Sequence, residues 1–424
     1  MISRIEALNY KCLRDVSQSL SGFNILVGPN ASGKTTFLEV VSFLGDLVSE
    51  GLEAAIFNRT NNFNDLTWKG TGEPFELAVE FKIPEDKKEL LEDKEEFEYI
   101  RYEVRIGMDE ETEEISILNE TGLFIVKEAH EKNSPRSAQR SLFPMGSAPR
   151  ETLLSNINAP DNKTVFNKKY KGNDNYYGEN YGKQKGYKPS FKLGPKKSTL
   201  ANLPEDETKF PVATWLKYTL ASRVNTISLN SLGMRKASPP GLYKGFRPDG
   251  SNLPWVIEKL KKESPADFQD WLSHLQTSLP DLEDIETIER PEDRHKYLKT
   301  IHAEGFKVPS WMVSDGTLRL MALTLMAYIP DFQGVYLIEE PENGIHPQAI
   351  QTIYDSLSTV YDAQILLATH SPVFLSLAKP EEILCFARTE HGATDIVSGD
   401  EHPRLKDWKG TPNISELFAS GVLG

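Results

Sequence analysis

Cysteine is nearly missing from this chain. Its 424 residues hold two, Cys12 and Cys385, far apart among apolar neighbours, with no CxxC spacing and no Cys/His cluster. That excludes a disulfide framework and the common zinc spacings, and the expected compartment is a reduced cytoplasm. Long apolar runs are missing too. No stretch approaches the roughly 20 apolar residues that span a bilayer, and the opening MISRIEALNY lacks the basic-then-apolar layout of a secretory signal, so no membrane partner is expected. Positive charge is in deficit, with 48 Lys and Arg against 62 Asp and Glu and a formal net charge of −14. This opposes blanket adhesion to nucleic acid, though an acidic body can still carry one basic patch. Length is ample: the chain can bury a core of two to three ordinary domains without crosslinks.

What is present begins with a strand pattern, Ile2, Ile5 and Leu8 alternating with polar residues, then the apolar run Phe23-Asn24-Ile25-Leu26-Val27. It leads into Gly28-Pro29-Asn30-Ala31-Ser32-Gly33-Lys34-Thr35, followed by Thr36 and a helical run to Ser42. Strand, glycine loop and helix in that order form a phosphate loop. The glycines let backbone N–H groups face phosphate, Lys34 reaches the β and γ phosphates of ATP, and the Thr35 hydroxyl holds Mg²⁺.

Such a loop needs an acidic strand end beside it, and Val335-Tyr336-Leu337-Ile338-Glu339-Glu340 supplies one. Side chains alternate along a strand, so the two carboxylates should point differently: Glu339 is assigned to Mg²⁺ and Glu340 to the general base. A second apolar strand, Ile365 to Ala368, ends at Thr369-His370-Ser371-Pro372, where His370 is placed to bond the γ-phosphate or the attacking water. Ser314-Asp315-Gly316-Thr317 opens an apolar helix, Leu318 to Ile329; helix capping alone explains it, and an anion site is the alternative.

Between these motifs, alternating segments near 75–83, 97–107 and 113–127 predict an antiparallel sheet, and helices are expected near 210–224 and 252–279. From about 297 onward strands and helices alternate. The expected organisation is an ATPase lobe over 1–130, an insertion over 131–296 and a second ATPase lobe over 297–424. Residues 161–200 hold ten lysines against three acidic residues, a net of +7, interleaved with Tyr170, Tyr176, Tyr177, Tyr181 and Tyr187. Three readings stay open there: a nucleic-acid-facing loop, a mobile polar insertion, or a docking surface for an acidic partner or for the chain's own acidic stretch at 85–98.

Taken in order, the phosphate loop, Ser-Asp-Gly-Thr, Glu-Glu-Pro-Glu-Asn-Gly-Ile-His-Pro and Thr-His-Ser-Pro resemble the RecF/OLD-like branch of ABC ATPases, relatives of the SMC proteins. The match covers about the first 40 residues and 310–378. Ser238-Pro239-Pro240, Asp249 to Leu253 and the ending Glu416-Leu417-Phe418 to Gly424 also look like this branch. The resemblance implies an α/β ABC-type P-loop ATPase with mixed sheets and a long insertion between phosphate loop and signature. It also implies ATP and Mg²⁺ as ligands, and a head-to-head dimer or larger homo-oligomer.

In that dimer Ser314, Asp315 and Gly316 act as the signature on the partner's nucleotide. Glu340 is the implied base, Glu342 to His346 the D-loop region and His370 the switch histidine. Two departures stand out: Glu339 replaces the aspartate of the wider family, and no glutamine marks the Q-loop. The chain runs 54 residues past His370, so no Toprim nuclease domain is expected. The function implied is ATP-driven regulation of a separately encoded effector such as a nuclease, in prokaryotic anti-phage defence, with a RecF-like DNA-repair clamp as the alternative.

Overall fold

The computed structural model describes residues 1–91, 96–132, 149–157, 159–180, 188–241 and 245–402. Its strands are β1 (Ile2–Tyr10), β2 (Leu13–Ser19), β3 (Phe23–Val27), β4 (Phe75–Lys82), β5 (Tyr99–Met108), β6 (Ile115–Ile125), β7 (Asn162–Lys169), β8 (Asp174–Tyr176) and β9 (Ser190–Phe191). They continue as β10 (Val224–Ile227), β11 (Leu282–Glu289), β12 (Lys296–His302), β13 (Phe306–Pro309), β14 (Gly334–Glu339), β15 (Ala363–Ala368), β16 (Ile383–Arg388) and β17 (Thr394–Ser398). An antiparallel sheet runs in the order β2-β1-β4-β5-β6-β7-β8-β9. A mainly parallel one runs β10-β14-β15-β3-β16-β17, and a small one β11-β12-β13.

The parallel sheet is covered on both faces, as its continuous apolar strands require. Leu26, Leu337, Leu366 and Leu384 face one core; Ile25, Ile338, Ile365 and Cys385 face the other. The first core lies between this sheet and the antiparallel one and is filled by helix α1 (Lys34–Ser49), which buries Phe37, Val41, Phe43, Leu44 and Leu47. A Cβ at Gly45 would stand 2.9 Å from the Leu220 carbonyl, so glycine lets α1 approach the helix Pro211–Ser222 closely. The second core is closed by helices Leu253–Glu263, Pro265–Gln276, Asp315–Leu325 and Ile350–Ser358. The helical run expected over 252–279 is two helices, because Pro265 cannot continue the first one. No described helix is long and apolar enough to cross a membrane.

The segment 131–296, expected to be an insertion, contributes β7, β8 and β9 to the antiparallel sheet, with Val165, Phe166 and Tyr176 in the first core. A mobile insertion therefore does not describe the lysine-rich tract at these strands. Three of its lysines pair with acids of the same chain: Lys168 with Asp174 (2.6 Å), Lys171 with Glu111 (2.5 Å) and Lys196 with Glu53 (3.2 Å) and Glu114 (3.4 Å). These acids lie outside the 85–98 stretch. Tyr181, Tyr187 and the ending Glu416 to Gly424 lie outside the described residues.

One face of the antiparallel sheet carries buried charge in place of apolar side chains. Arg101 bonds Glu80 (2.8 Å), Glu103 (2.7 Å) and Glu6 while donating to the Leu153 carbonyl (3.0 Å). Residues 150–155 lie across this row: Arg150 bonds Glu6 (2.8 Å) and Asp15 (2.7 Å), Thr152 bonds Glu76 (2.8 Å) and Ser155 bonds Glu103 (2.9 Å). Pairing of this density is what permits charge in a dry interior.

Candidate functional site

Strands β14, β15, β3 and β16 run parallel and end on one edge, the edge where α/β sheets place ligands. The loop leaving β3 there is glycine-dependent in both conformation and space. Gly28 has φ 153° and Gly33 has φ 104°. A Cβ at Gly28 would meet the Phe386 carbonyl at 2.2 Å, and one at Gly33 would meet Thr394 Oγ1 at 2.2 Å and Cys12 Sγ at 3.1 Å. Gly33 is also the N-cap of α1, so the first N–H groups of that helix open onto the loop. Lys34 crosses the loop and donates to the carbonyls of Gly28 (2.8 Å) and Pro29 (3.0 Å).

A cleft of about 400 Å³ opens above the loop, lined by Asn30, Ala31, Ser32, Gly33, Lys34, Thr35 and Thr36. Glu339, 304 residues beyond Thr35, lines the same cleft, as do Glu340 and His370. The Thr35 hydroxyl donates to Glu339 Oε2 (2.5 Å), which sets two oxygen ligands side by side. Glu340 leaves the strand at φ 46°, a left-handed conformation that costs energy for a side-chain-bearing residue and recurs at functional sites. Its N–H bonds the Ala368 carbonyl (2.8 Å), and Asn343 donates to its Oε2 (2.6 Å). The two acids thus diverge: Glu339 faces the loop hydroxyl and Glu340 is held by the turn that follows it.

Glu342 takes a part that the sequence did not disclose. Its Oε1 accepts from the Thr369 hydroxyl (2.7 Å) and from the His370 N–H (3.0 Å), tying the turn after β14 to the end of β15. Burial, and then the Lys34 charge, lower the His370 pKa against the opposing pull of Glu340 and Glu342, so the imidazole favours its neutral form. Burial likewise lowers the Lys34 pKa, opposed by Glu340 and Glu339.

Ser314, Asp315 and Gly316 do not line this cleft. Ser314 caps the helix Asp315–Leu325, its Oγ accepting from Thr317 N–H (3.1 Å), and Asp315 pairs with Arg235 (2.9 Å). A Cβ at Gly316 would stand 2.5 Å from the Gly344 carbonyl, so the helix start packs on the same turn that carries Glu340, Glu342 and Asn343. Lys11, Cys12 and Arg388 also line the cleft and escaped the sequence reading. Lys11 and Cys12 sit in the β1–β2 turn, and Arg388 ends β16; no local motif marks either place.

A Mg²⁺–triphosphate fits these residues. Ser32 Oγ is buried in the loop with no hydrogen-bond partner among the described residues, the glycine curl leaves no room for a Cβ, and Thr35 and Glu339 offer hard oxygen ligands. Among the described residues no group of three or more His, Cys, Asp or Glu is placed to hold a metal, so a cation here would draw its other ligands from phosphate and water.

This fold and this edge define a P-loop α/β architecture with mixed sheets, of the ABC-type ATPase fold. The chain belongs to the AAA_21 family, described as an AAA domain, putative AbiEii toxin of a type IV toxin–antitoxin system, whose model matches residues 23–376. Among solved structures, the Smc head bound to the C-winged helix domain of ScpA superposes with a TM-score of 0.53 at 15% identity, covering 93% of this chain and 97% of that one. An Smc head with an extended coiled coil, bound to the C-terminal domain of ScpA derived from Pyrococcus furiosus, gives 0.48 at 14% identity, covering 93% and 95%. The SMC head of Thermotoga maritima gives 0.40 at 10% identity, covering 94% and 98%. At these identities the likeness is one of fold. No curated protein matches the chain in sequence.

Proposed function

We propose that this protein binds and hydrolyses ATP with Mg²⁺, pairs head to head around the nucleotide, and uses that cycle to regulate a separately encoded effector in prokaryotic defence. The observation that carries the ATPase reading is the single cleft that joins Lys34 and Thr35 to Glu339, Glu340 and His370. In this reading the loop N–H groups and Lys34 bind the phosphates, and Thr35 with Glu339 holds the cation. Glu340 takes the proton of the attacking water, and neutral His370 orients the water or the γ-phosphate. Bound Mg²⁺ supplies charge neutralisation at the phosphates. Ser314, Asp315 and Gly316, outside their own chain's cleft, complete the site of the second copy.

The family's description supports the defence part of the reading. An effector in trans fits a chain whose recognised acids are committed to one nucleotide. The test of the ATPase is Mg²⁺-dependent phosphate release by purified protein, with Lys34→Ala as control. Turnover undiminished in that variant would refute the site. For the biological role, phage plating efficiency is measured on cells carrying the gene with and without its neighbours. Protection that requires both the neighbours and Lys34 supports the reading. ATP-dependent, salt-sensitive DNA affinity of the chain alone, without protection, would favour a repair clamp.

A further inference from the structure

Among the described residues three cations, Lys11, Lys34 and Arg388, line the cleft, and they differ in what already neutralises them. Lys34 is turned to its own loop and faces Glu339 and Glu340. Lys11 is held by both oxygens of Glu39 (2.7 and 2.6 Å). The guanidinium of Arg388, the exposed last residue of β16, makes no hydrogen bond or ion pair with any described residue. Its guanidinium rests over the β16–β17 turn, where a Cβ at Gly392 would lie 3.2 Å from Nη2.

The sheet order fixes which end of the cleft Arg388 serves. Glu339 and His370 follow β14 and β15, on one side of β3, whereas β16 lies on the other. The hairpin that carries Arg388 is pinned to the loop: Thr394 donates through Oγ1 to the Ser32 carbonyl (2.8 Å) and through N–H to the Cys12 carbonyl (2.9 Å). A phosphate chain whose hydrolysed end lies between Glu340 and His370 therefore runs across the loop towards Arg388. A guanidinium there is permanently charged, and its fork of donors matches two phosphate oxygens.

We propose that Arg388 is a nucleotide-binding residue that grips the phosphate remote from the hydrolysed bond, the α-phosphate shared by ATP and ADP. The proposal rests on the reading of this cleft as the nucleotide site. Its consequence is a loss that does not discriminate between the two nucleotides, whereas Lys34, at the β and γ phosphates, affects the triphosphate more.

The experiment is titration of the full chain with fluorescent mant-ADP and mant-ATP in Mg²⁺, using the parent protein, Arg388→Met, Arg388→Lys and Lys34→Ala, each checked for an unchanged melting temperature. Loss of a charge-assisted bond should weaken Arg388→Met for both nucleotides by about tenfold or more, and Arg388→Lys should recover part of it. Parent-like ADP affinity in Arg388→Met, alongside lost ATP binding in Lys34→Ala, would overturn the proposal and leave the nucleotide site standing. Weakening for ATP alone would overturn it by placing Arg388 at the γ end. Parent-like binding in Lys34→Ala as well would show that the cleft itself had been misread.

Discussion

Glu340 combines a left-handed backbone, a carboxylate held by Asn343 and a place in the cleft beside His370. A residue in that conformation is kept for its side chain, since glycine would be the unstrained choice. Glu340→Gln preserves the shape and the Asn343 neighbour while removing the proposed base. ATP turnover should fall by about 10²–10⁴ with nucleotide still bound, read as phosphate release against nucleotide retained after gel filtration. Glu342 tests the positioning of His370. Glu342→Ala strips the acceptor from two donors, a loss of about 1–3 kcal/mol, and should lower turnover to the level of His370→Ala. Glu342→Gln, which keeps a carbonyl oxygen, should restore most of it. Turnover that falls further when Glu342→Ala is combined with His370→Ala would show that Glu342 acts elsewhere. Gly28 to Thr35, Glu339, Glu340 and His370 were legible because each follows an apolar strand and has its own local pattern. Arg388 was not, because its place depends on β16 lying beside β3, with Cys385 opposite Val27. Nothing near Arg388 in sequence records that neighbour.

At the scale of elements, the strands read from alternation, β4 to β6, came out within a few residues of where the pattern put them, since aromatic and β-branched residues mark a half-buried ribbon. Strands β7 to β9 were hidden by their lysines: Lys168 is buried, but only because Asp174 meets it, and composition alone cannot show the pairing. The charged row on the same sheet obeys the same logic. Burial raises the Glu6 pKa, but Arg101 and Arg150 outweigh it and hold the carboxyl at about 2, below its ordinary 4.5. The folded value is depressed, so the stabilisation is present above pH 4.5 and is lost as the pH falls from there through 2. Glu6→Gln should therefore flatten the acid branch of a stability-versus-pH curve. Arg101→Met leaves Glu6, Glu80 and Glu103 buried beside too little positive charge, and should destabilise the chain by about 3–5 kcal/mol in urea unfolding at neutral pH. A change below 1 kcal/mol would mean that the row is wetter than its burial indicates.

Over the whole molecule, the proposed signature packs on the turn behind the cleft yet does not line the cleft of its own chain. Gly316 packs on the Gly344 carbonyl, and from Gly344 the turn runs back through Asn343 and Glu342 to Glu340, so the start of the proposed signature helix, the proposed base and His370 are joined by one line of contacts. Ser314 lines no part of its own chain's cleft, and a two-fold pair of heads would bring it to the other's nucleotide. Complementation separates this arrangement from a self-contained site. Lys34→Ala disables the loop of its own chain, and Ser314→Arg disables the site to which that chain lends its signature. Alone, each variant should be inactive. In a mixed pair both lesions fall on one of the two sites, and the other site receives an intact loop from the Ser314→Arg chain and an intact signature from the Lys34→Ala chain. With random pairing in a symmetric dimer, half of the pairs are mixed and each has one working site, so an equimolar mixture should recover about a quarter of parental turnover. A mixture as inactive as its components, under conditions where light scattering shows that pairs form and exchange, would mean that signature and loop act within one chain, and the head-to-head reading would fall.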